Sequence, residues 1–303
     1  MKIRTTLILL LALILTASYF LLVEERQKRN RLERIRESSK LLPYSHNEVQ
    51  RFTHINLNKE RIEMERCGTG WRITFPVETK GSDSAINTLL MQLVPNLKTE
   101  IITGIRSLGD FGLNPPRAAS ILYTGPTREP DTIYFGDKIP TGERCYVRLA
   151  GSDTVFITRE ITHQVVDKGL FQLRNKDLLR IDPSSIETVT LRSGDTAMRL
   201  FRDGGAWVAE DPAANVNLSA VEPNLNRLTN AVIFEFVRED TGDLASYGLD
   251  DPPYEITIRT AQDTFYVRYG DIAGKMVYAT RSGLDQIFLL DARLLEIFGI
   301  SGE

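Results

Sequence analysis

The chain has little of what most protein chemistry requires. Only three of its 303 residues are histidine and two are cysteine. None of His46, His54 and His163 stands at a metal-ligand spacing from another histidine or a cysteine, so no zinc motif is legible. His163 reads as a surface or helix residue rather than a base. No Gly-x-Ser-x-Gly elbow, no phosphate-cradling glycine loop ending in Lys-Ser/Thr and no Gly-x-Gly-x-x-Gly is present. A basic body is missing too. The formal net charge is −3, and residues 1–40 alone carry nine Lys or Arg against four Glu, a net of +5. The remainder is therefore −8, an acidic body that excludes the basic footprint of a nucleic-acid binder.

What the chain does have is a repeat. Trp71 lies 41 residues before Gly112, and Trp207 lies 41 residues before Gly248. Trp71-Arg-Ile-Thr-Phe-Pro76 answers Trp207-Val-Ala-Glu-Asp-Pro212, and Phe111-Gly-Leu-Asn-Pro-Pro116 answers Tyr247-Gly-Leu-Asp-Asp-Pro-Pro253. The offset is 136 residues at first, 134 at Gly136/Gly270 and 132 at Tyr146/Tyr278 and Phe156/Phe288. Loops absorb length changes better than packed elements, so this drift is the mark of a duplicated domain. Cys67 and Cys145 belong to the first copy only, facing Asp203 and a position near Val277 in the second. Two unpaired thiols are the favoured reading, and a Cys67–Cys145 disulfide is the alternative if the chain is exported.

One apolar run is long. Leu7 to Val23 carries no charge, and its 17 residues are the short end of what spans a bilayer. The run continues past the small residues at Thr16-Ala-Ser18, which favours an uncleaved signal anchor over a removed signal peptide. The positive flank after the run argues for a cytoplasmic body, whereas the short Met-Lys-Ile-Arg start followed by an apolar core reads as an export signal. The residues leave both orientations open. Glu24 to Leu42 has no glycine or proline and reads as a charged helical stalk.

Each copy reads as a three-stranded meander, a helix, a short strand, a helical turn ending at the Gly-Leu phrase, four more strands and a closing helix. In the first copy the helix is expected over Ala85–Leu97, capped by Ser82 or Asp83. Leu89, Leu90, Leu93 and Leu97 lie on its inner face. In the second it is expected over Ala220–Phe234, with Ser219 and Glu222 as a capping box and Leu225, Leu228 and Val232 facing inward. Closing helices are expected at Ile161–Leu170 and Ala292–Phe298. Gly112 and Gly248 fall where a helix end needs positive φ. The expected fold class is α+β: two tandem similar domains, each a mainly antiparallel sheet with one or two packed helices, behind a single N-terminal transmembrane helix. The expected boundaries are anchor 1–23, stalk 24–48, first domain 49–180 and second domain 181–303.

The carboxylates nearest the repeated phrases are Asp110, Asp137, Asp250, Asp251 and Asp271. Asp137 and Asp271 correspond, and a shared Gly-Asp after a strand reads as turn chemistry rather than a catalytic acid. Trp71 and Trp207 read as core anchors, with an exposed sugar-stacking platform as the lesser alternative. Tyr146 and Tyr278 are expected to pack within the sheet. No catalytic, cofactor-binding or metal-binding residue is expected, nor any cofactor.

The Trp-x4-Pro phrase, the helix after it, the Phe/Tyr-Gly-Leu-x-x-Pro phrase and the late tyrosine strand together resemble the bacterial domain of unknown function family 4340. The resemblance covers roughly residues 50–300 as two tandem copies. It implies an extracytoplasmic body held by one inner-membrane helix, beside the subunits of an ABC transport system of the gliding-motility type. It carries over no catalytic residue. The expected role is a membrane-anchored, non-enzymatic scaffold whose partners are the lipid bilayer, through residues 7–23, and ABC transporter subunits. The alternative is a binding module for a cell-wall or envelope ligand in a cleft between the copies.

Overall fold

The computed structural model describes residues 40–94, 96, 98–212 and 217–298, with isolated positions at 19, 24, 26 and 27. The apolar segment Leu7–Val23 (Tyr19 apart), most of the stalk, Leu97 and the last five residues lie outside the described residues. No helix among the described residues is long and apolar enough to cross a membrane. The chain divides into two compact units, Met1–Arg174 and Asn175–Glu303.

The first unit is built on nine strands: β1 (Arg51–Ile55), β2 (Arg61–Cys67), β3 (Gly70–Phe75), β4 (Thr79–Lys80), β5 (Lys98–Ile102), β6 (Ala118–Tyr123), β7 (Asp131–Lys138), β8 (Arg144–Leu149) and β9 (Val155–Thr162). They form one sheet in the order β4-β3-β2-β1-β6-β7-β8-β9-β5. The second unit has β10 (Ile186–Ser193), β11 (Thr196–Asp203), β12 (Ala206–Ala209), β13 (Glu235–Arg238), β14 (Tyr254–Thr260), β15 (Thr264–Ala273), β16 (Met276–Arg281) and β17 (Leu284–Asp291). Their order is β12-β11-β10-β14-β15-β16-β17-β13. Without the two-residue β4 the orders are the same, and neighbouring strands pair antiparallel.

In each unit the chain leaves one edge of the sheet, crosses a face as a helix and returns as the strand at the far edge. Helix α1 (Asp83–Leu93) buries Ile86, Leu89, Leu90 and Leu93, spaced as one helical face. They meet Phe52, Ile62, Met64 and Ile73, alternate residues of the first meander. Each such side chain contributes about 1.5–3 kcal/mol on leaving water. In the second unit α4 (Leu218–Thr229) buries Val221, Leu225 and Leu228 against Val189, Leu200 and Ile258. Between them lie two four-residue helices, α2 (His163–Val166) and α3 (Leu170–Leu173).

Several expectations are corrected. The long helices end at Leu93 and Thr229, so Val232 leaves the inner face and stands largely exposed. The closing element of the first unit is broken at Gly169 into α2 and α3, and the closing element of the second is a 3-10 helix over Ala292–Phe298. Leu41 and Leu42, placed by sequence in the stalk, are buried in the first core. Leu178 and Leu179, placed in the first domain, are buried in the second core. The two pairs are equivalent. Leu41 donates its N–H to the Asn96 carbonyl and Leu178 to that of Ala231, at 2.7 and 2.9 Å. Each pair is followed by a capped 3-10 turn, with Ser45 before His46–Glu48 and Asp182 before Pro183–Ser185. Helical composition runs unbroken to Leu42, but burial of a leucine pair outweighs that propensity.

Candidate functional site

The repeated tryptophans are fully enclosed. Trp71 is 2% exposed and Trp207 7%, which leaves no face for a sugar. In both units an arginine from the preceding strand lies over the indole, Arg66 at 4.5 Å and Arg202 at 4.7 Å from the ring centre. The same arginine donates through Nε to a main-chain carbonyl, Val49 or Ile186. The indole N–H is satisfied by the helix. Trp71 Nε1 donates to Asn87 at 2.9 Å, and Trp207 Nε1 donates to Glu222 at 2.8 Å. Glu222 Oε2 also accepts from Arg202 at 2.8 Å. Glu222 is therefore committed to the clamp, and the expected Ser219–Glu222 capping box does not form. Asn217 is the N-cap, with no side-chain bond to a helix N–H; its Oδ1 accepts from the Ser219 hydroxyl at 2.6 Å. In the first unit Ser82 caps α1, and Asp83 instead accepts from the Trp71 N–H at 2.7 Å.

The Gly-Leu phrase forms the second repeated node. Gly112 and Gly248 have φ of 63° and 66°, left-handed values suited to glycine. Phe111 and Tyr146 meet edge to face with ring centres 4.9 Å apart, and Tyr247 and Tyr278 do the same at 4.9 Å. All four rings are half-buried. Tyr146 alternates with the core residues Cys145 and Val147, so the node packs on the face of the sheet away from α1. Gly136 and Gly270 lie under the phrase. A Cβ on either would run into the carbonyl oxygen of Phe111 or Tyr247. Asp137 and Asp271 follow them, and here the turn reading is corrected. Both Gly-Asp pairs lie inside strands, at matching breaks of register between Phe135 and Lys138 and between Tyr269 and Ile272. These are β-bulges on which the Gly-Leu loop docks. Asp137 accepts from Arg117 Nε at 2.6 Å at the surface, and Asp110, Asp250, Asp251 and Asp271 are exposed.

The histidines do not gather. His163 is exposed at the start of α2, and His46 lies in the 3-10 turn after Ser45. His54 is the exception in environment. It is fully buried on β1, 2.9 Å from Ser120 Oγ through Nδ1 and 3.1 Å from the Val166 carbonyl through Nε2. A carbonyl only accepts, so Nε2 carries the proton and the Ser120 hydroxyl donates to Nδ1. Burial pushes the imidazole down to about 4, so it is neutral at pH 7. A serine hydroxyl donating to a neutral imidazole is the geometry of a nucleophile and base. Both residues are wholly buried, and no substrate atom reaches Oγ. The pair ties β1 and β6 to the end of α2. Cys67 is free and exposed; Cys145 is free, fully buried and pushed up to about 11 by burial. Among the described residues no group of three potential ligands converges for a metal.

The second unit carries a recess of about 1100 Å³. Its walls are the C-terminal end of α4 with the segment after it, the turn joining β15 to β16, and the start of the final 3-10 helix. Val232, Phe234 and Ile272 line it and are 60%, 63% and 57% exposed. Arg227, Lys275 and Arg293 also line it, against the single carboxylate Asp291. Sequence reasoning missed this site because it placed Val232 and Phe234 inside a helix, Val232 on its inner face, and the helix stops earlier, at Thr229. The available signal was Asn230, a helix-ending residue before the second apolar cluster.

Two copies of one sheet-and-helix unit, each held by the same tryptophan clamp and aromatic node, define a tandem-repeat α+β protein. The chain belongs to the family described as Domain of unknown function (DUF4340), whose model matches residues 71–213 and again 207–301. Both matches begin at a clamp tryptophan, in β3 and β12, whereas the buried leucine pair of each core lies some thirty residues earlier, at Leu41 and Leu178. No curated protein and no solved structure matches the chain.

Proposed function

We propose that this chain is a membrane-tethered, non-catalytic accessory protein that works by protein–protein contact in an ABC-transport-linked envelope complex, with its two units on the extracytoplasmic side. The observation that carries this reading is the use made of the repeated residues. Both tryptophans, the Gly-Leu phrases, the bulge glycines and the paired aromatics are spent on internal packing. Large apolar side chains are meanwhile left open in the recess of the second unit, as befits a surface for a partner. The uncharged run Leu7–Val23 supports the tether.

The test is affinity purification of the full chain from detergent-solubilised membranes. Permease and ATPase subunits are expected to co-purify, and recovery of neither removes the transport reading. A topology reporter fused after Glu303 checks the side of the membrane. A reporter active only outside the cytoplasm is expected, and one active inside overturns the orientation.

A further inference from the structure

We infer that the recess of the second unit binds an acidic, amphipathic polypeptide segment of a partner protein. The segment's apolar side chains seat on Val232, Phe234 and Ile272, and its carboxylates face Arg227, Lys275 and Arg293. This rests on the reading of the chain as an interaction protein and assigns the surface that does the work.

The recess lies where the two copies part company. In the first unit Asn96 occupies the corresponding place. It is buried, donates to the Gln92 carbonyl at 2.9 Å and accepts the Glu160 N–H at 3.3 Å. The neighbouring turn there tucks Ile139 into the protein. In the second unit the equivalent residue is Ala231, which keeps the main-chain bond to Leu178 but has no side chain to reach across. Gly274 and Lys275 form the neighbouring turn, and Ile272 points outward. The two units share the frame, and with alanine in place of the asparagine bridge the floor of the second stays open.

Charge selects the occupant. Arg293 is bonded to Asp291, and Arg227 to Glu296 at 2.6 Å. Lys275 has no ion pair among the described residues, so the rim keeps a positive excess on a body whose net charge is −8. An acidic segment is steered in and a basic one turned away. Shape argues for a polypeptide over a bilayer, because a flat lipid surface does not fill a concave recess. Covering three exposed apolar side chains supplies the driving force, and the cations supply selectivity.

The experiment uses the full chain in detergent micelles and two short fluorescein-labelled probe peptides. Both have the same leucine and phenylalanine positions; one carries glutamates between them and the other lysines. Fluorescence anisotropy is expected to show the acidic probe binding at least about tenfold tighter, about 1.4 kcal/mol. Phe234→Ser with Ile272→Ser, both at exposed positions, is expected to weaken it by about tenfold or more, and Lys275→Glu to erase the preference for the acidic probe. Equal binding of the two probes, no binding, or affinity unchanged in the double variant overturns the assignment. So does capture of a short-chain phosphatidylglycerol in the recess where the acidic probe does not bind. The two proposals fail separately. If transporter subunits co-purify equally with wild type and the double variant, the accessory role stands and the recess assignment falls. If no subunit co-purifies but the acidic probe binds through Phe234 and Ile272, the recess stands and the transport role falls.

Discussion

At one strand crossing the two units make opposite choices. In the first, β1 meets β6 with His54 facing Ser120, and in the second, β10 meets β14 with Leu191 facing Ile256. The flanking pairs, Phe52–Leu122 and Val189–Ile258, are apolar in both. A sheet of this kind therefore tolerates a polar pair in its core, provided that each polar atom is satisfied. Ser120 donates to His54, which donates to Val166, and in exchange the first unit gains a fixed place for α2. In the second unit the 3-10 helix Ala292–Phe298 follows the last strand in the place of α2 and α3. The difference at the recess has the same logic in reverse. A polar bridge through Asn96 closes the first unit, and its absence opens the second.

The strongest way to break the equivalence of the units is to remove the tryptophans. Trp71→Ala and Trp207→Ala are each expected to cost about 3–5 kcal/mol, because each indole is buried and stacked beneath an arginine. Calorimetry combined with hydrogen exchange would show which unit loses protection. Equivalence requires similar losses, each within the unit carrying the substitution. A cost below about 1 kcal/mol at either tryptophan would mean that the clamp does not hold that unit.

Acid should separate the units. In the unfolded chain His54 binds a proton below its ordinary value of 6.5, while in the folded first unit burial pushes it down to about 4. Between these values the unfolded state holds more protons. The stability of the first unit is therefore complete above pH 6.5 and falls as pH drops towards 4, by about 3 kcal/mol over the window. All three histidines lie in the first unit, so hydrogen exchange in the second should not follow this slope. Importing the second unit's pair, His54→Leu with Ser120→Ile, is expected to abolish the slope. It also costs about 1–3 kcal/mol, since the Val166 carbonyl loses its donor. A slope that survives the double substitution would assign the acid response to other groups.

The regular part of each unit was legible in the sequence because it rests on periodicity. The meanders alternate, the helix leucines recur at helical spacing, and the Gly-Leu phrase marks a left-handed helix end, as Gly112 and Gly248 confirm. What failed were choices between two local roles for one residue. Glu222 sits three places after Ser219, which suits a capping box, but the Trp207 N–H and Arg202 compete for the carboxylate and win it. Gly-Asp after an apolar run suits a turn, yet the strand continues through it because the Gly-Leu loop must dock there. Leu41 and Leu42 continue a helical pattern, and only their recurrence as Leu178 and Leu179 marks them as core. The recess was hidden for a related reason: exposure depends on whether Asn96 or Ala231 stands at one position, which no period records.

The bulge glycines test that docking. Gly136→Ala and Gly270→Ala place a methyl against a main-chain carbonyl, which cannot swing aside as a flexible side chain can. Each is expected to cost about 1–3 kcal/mol, read as a lowered urea midpoint. The Phe111–Tyr146 or Tyr247–Tyr278 contact should loosen with it, visible in near-UV circular dichroism. An unchanged midpoint at one glycine alone would show that the two Gly-Leu loops are docked differently, despite their matching geometry.

The smallest expected difference lies in the clamp itself. Trp71 gives its indole proton to a neutral amide, whereas Trp207 gives its proton to a carboxylate that also pairs with Arg202. Asn87→Ala removes the acceptor of a half-buried bond and is expected to cost about 1 kcal/mol, with no dependence on salt. Glu222→Gln keeps an acceptor for Trp207 but takes the charge from Arg202. The Arg202 and Glu222 side chains are 24% and 43% exposed, so solvent already screens the pair and the cost should be nearer 0.5 kcal/mol. That cost should shrink further in molar salt, where the screening length falls to about 3 Å. Urea titrations of both variants at low and high salt make the comparison. A Glu222→Gln cost that is indifferent to salt would mean that the carboxylate serves Trp207 as a hydrogen-bond acceptor alone, as Asn87 serves Trp71, and the two clamps would then be the same device.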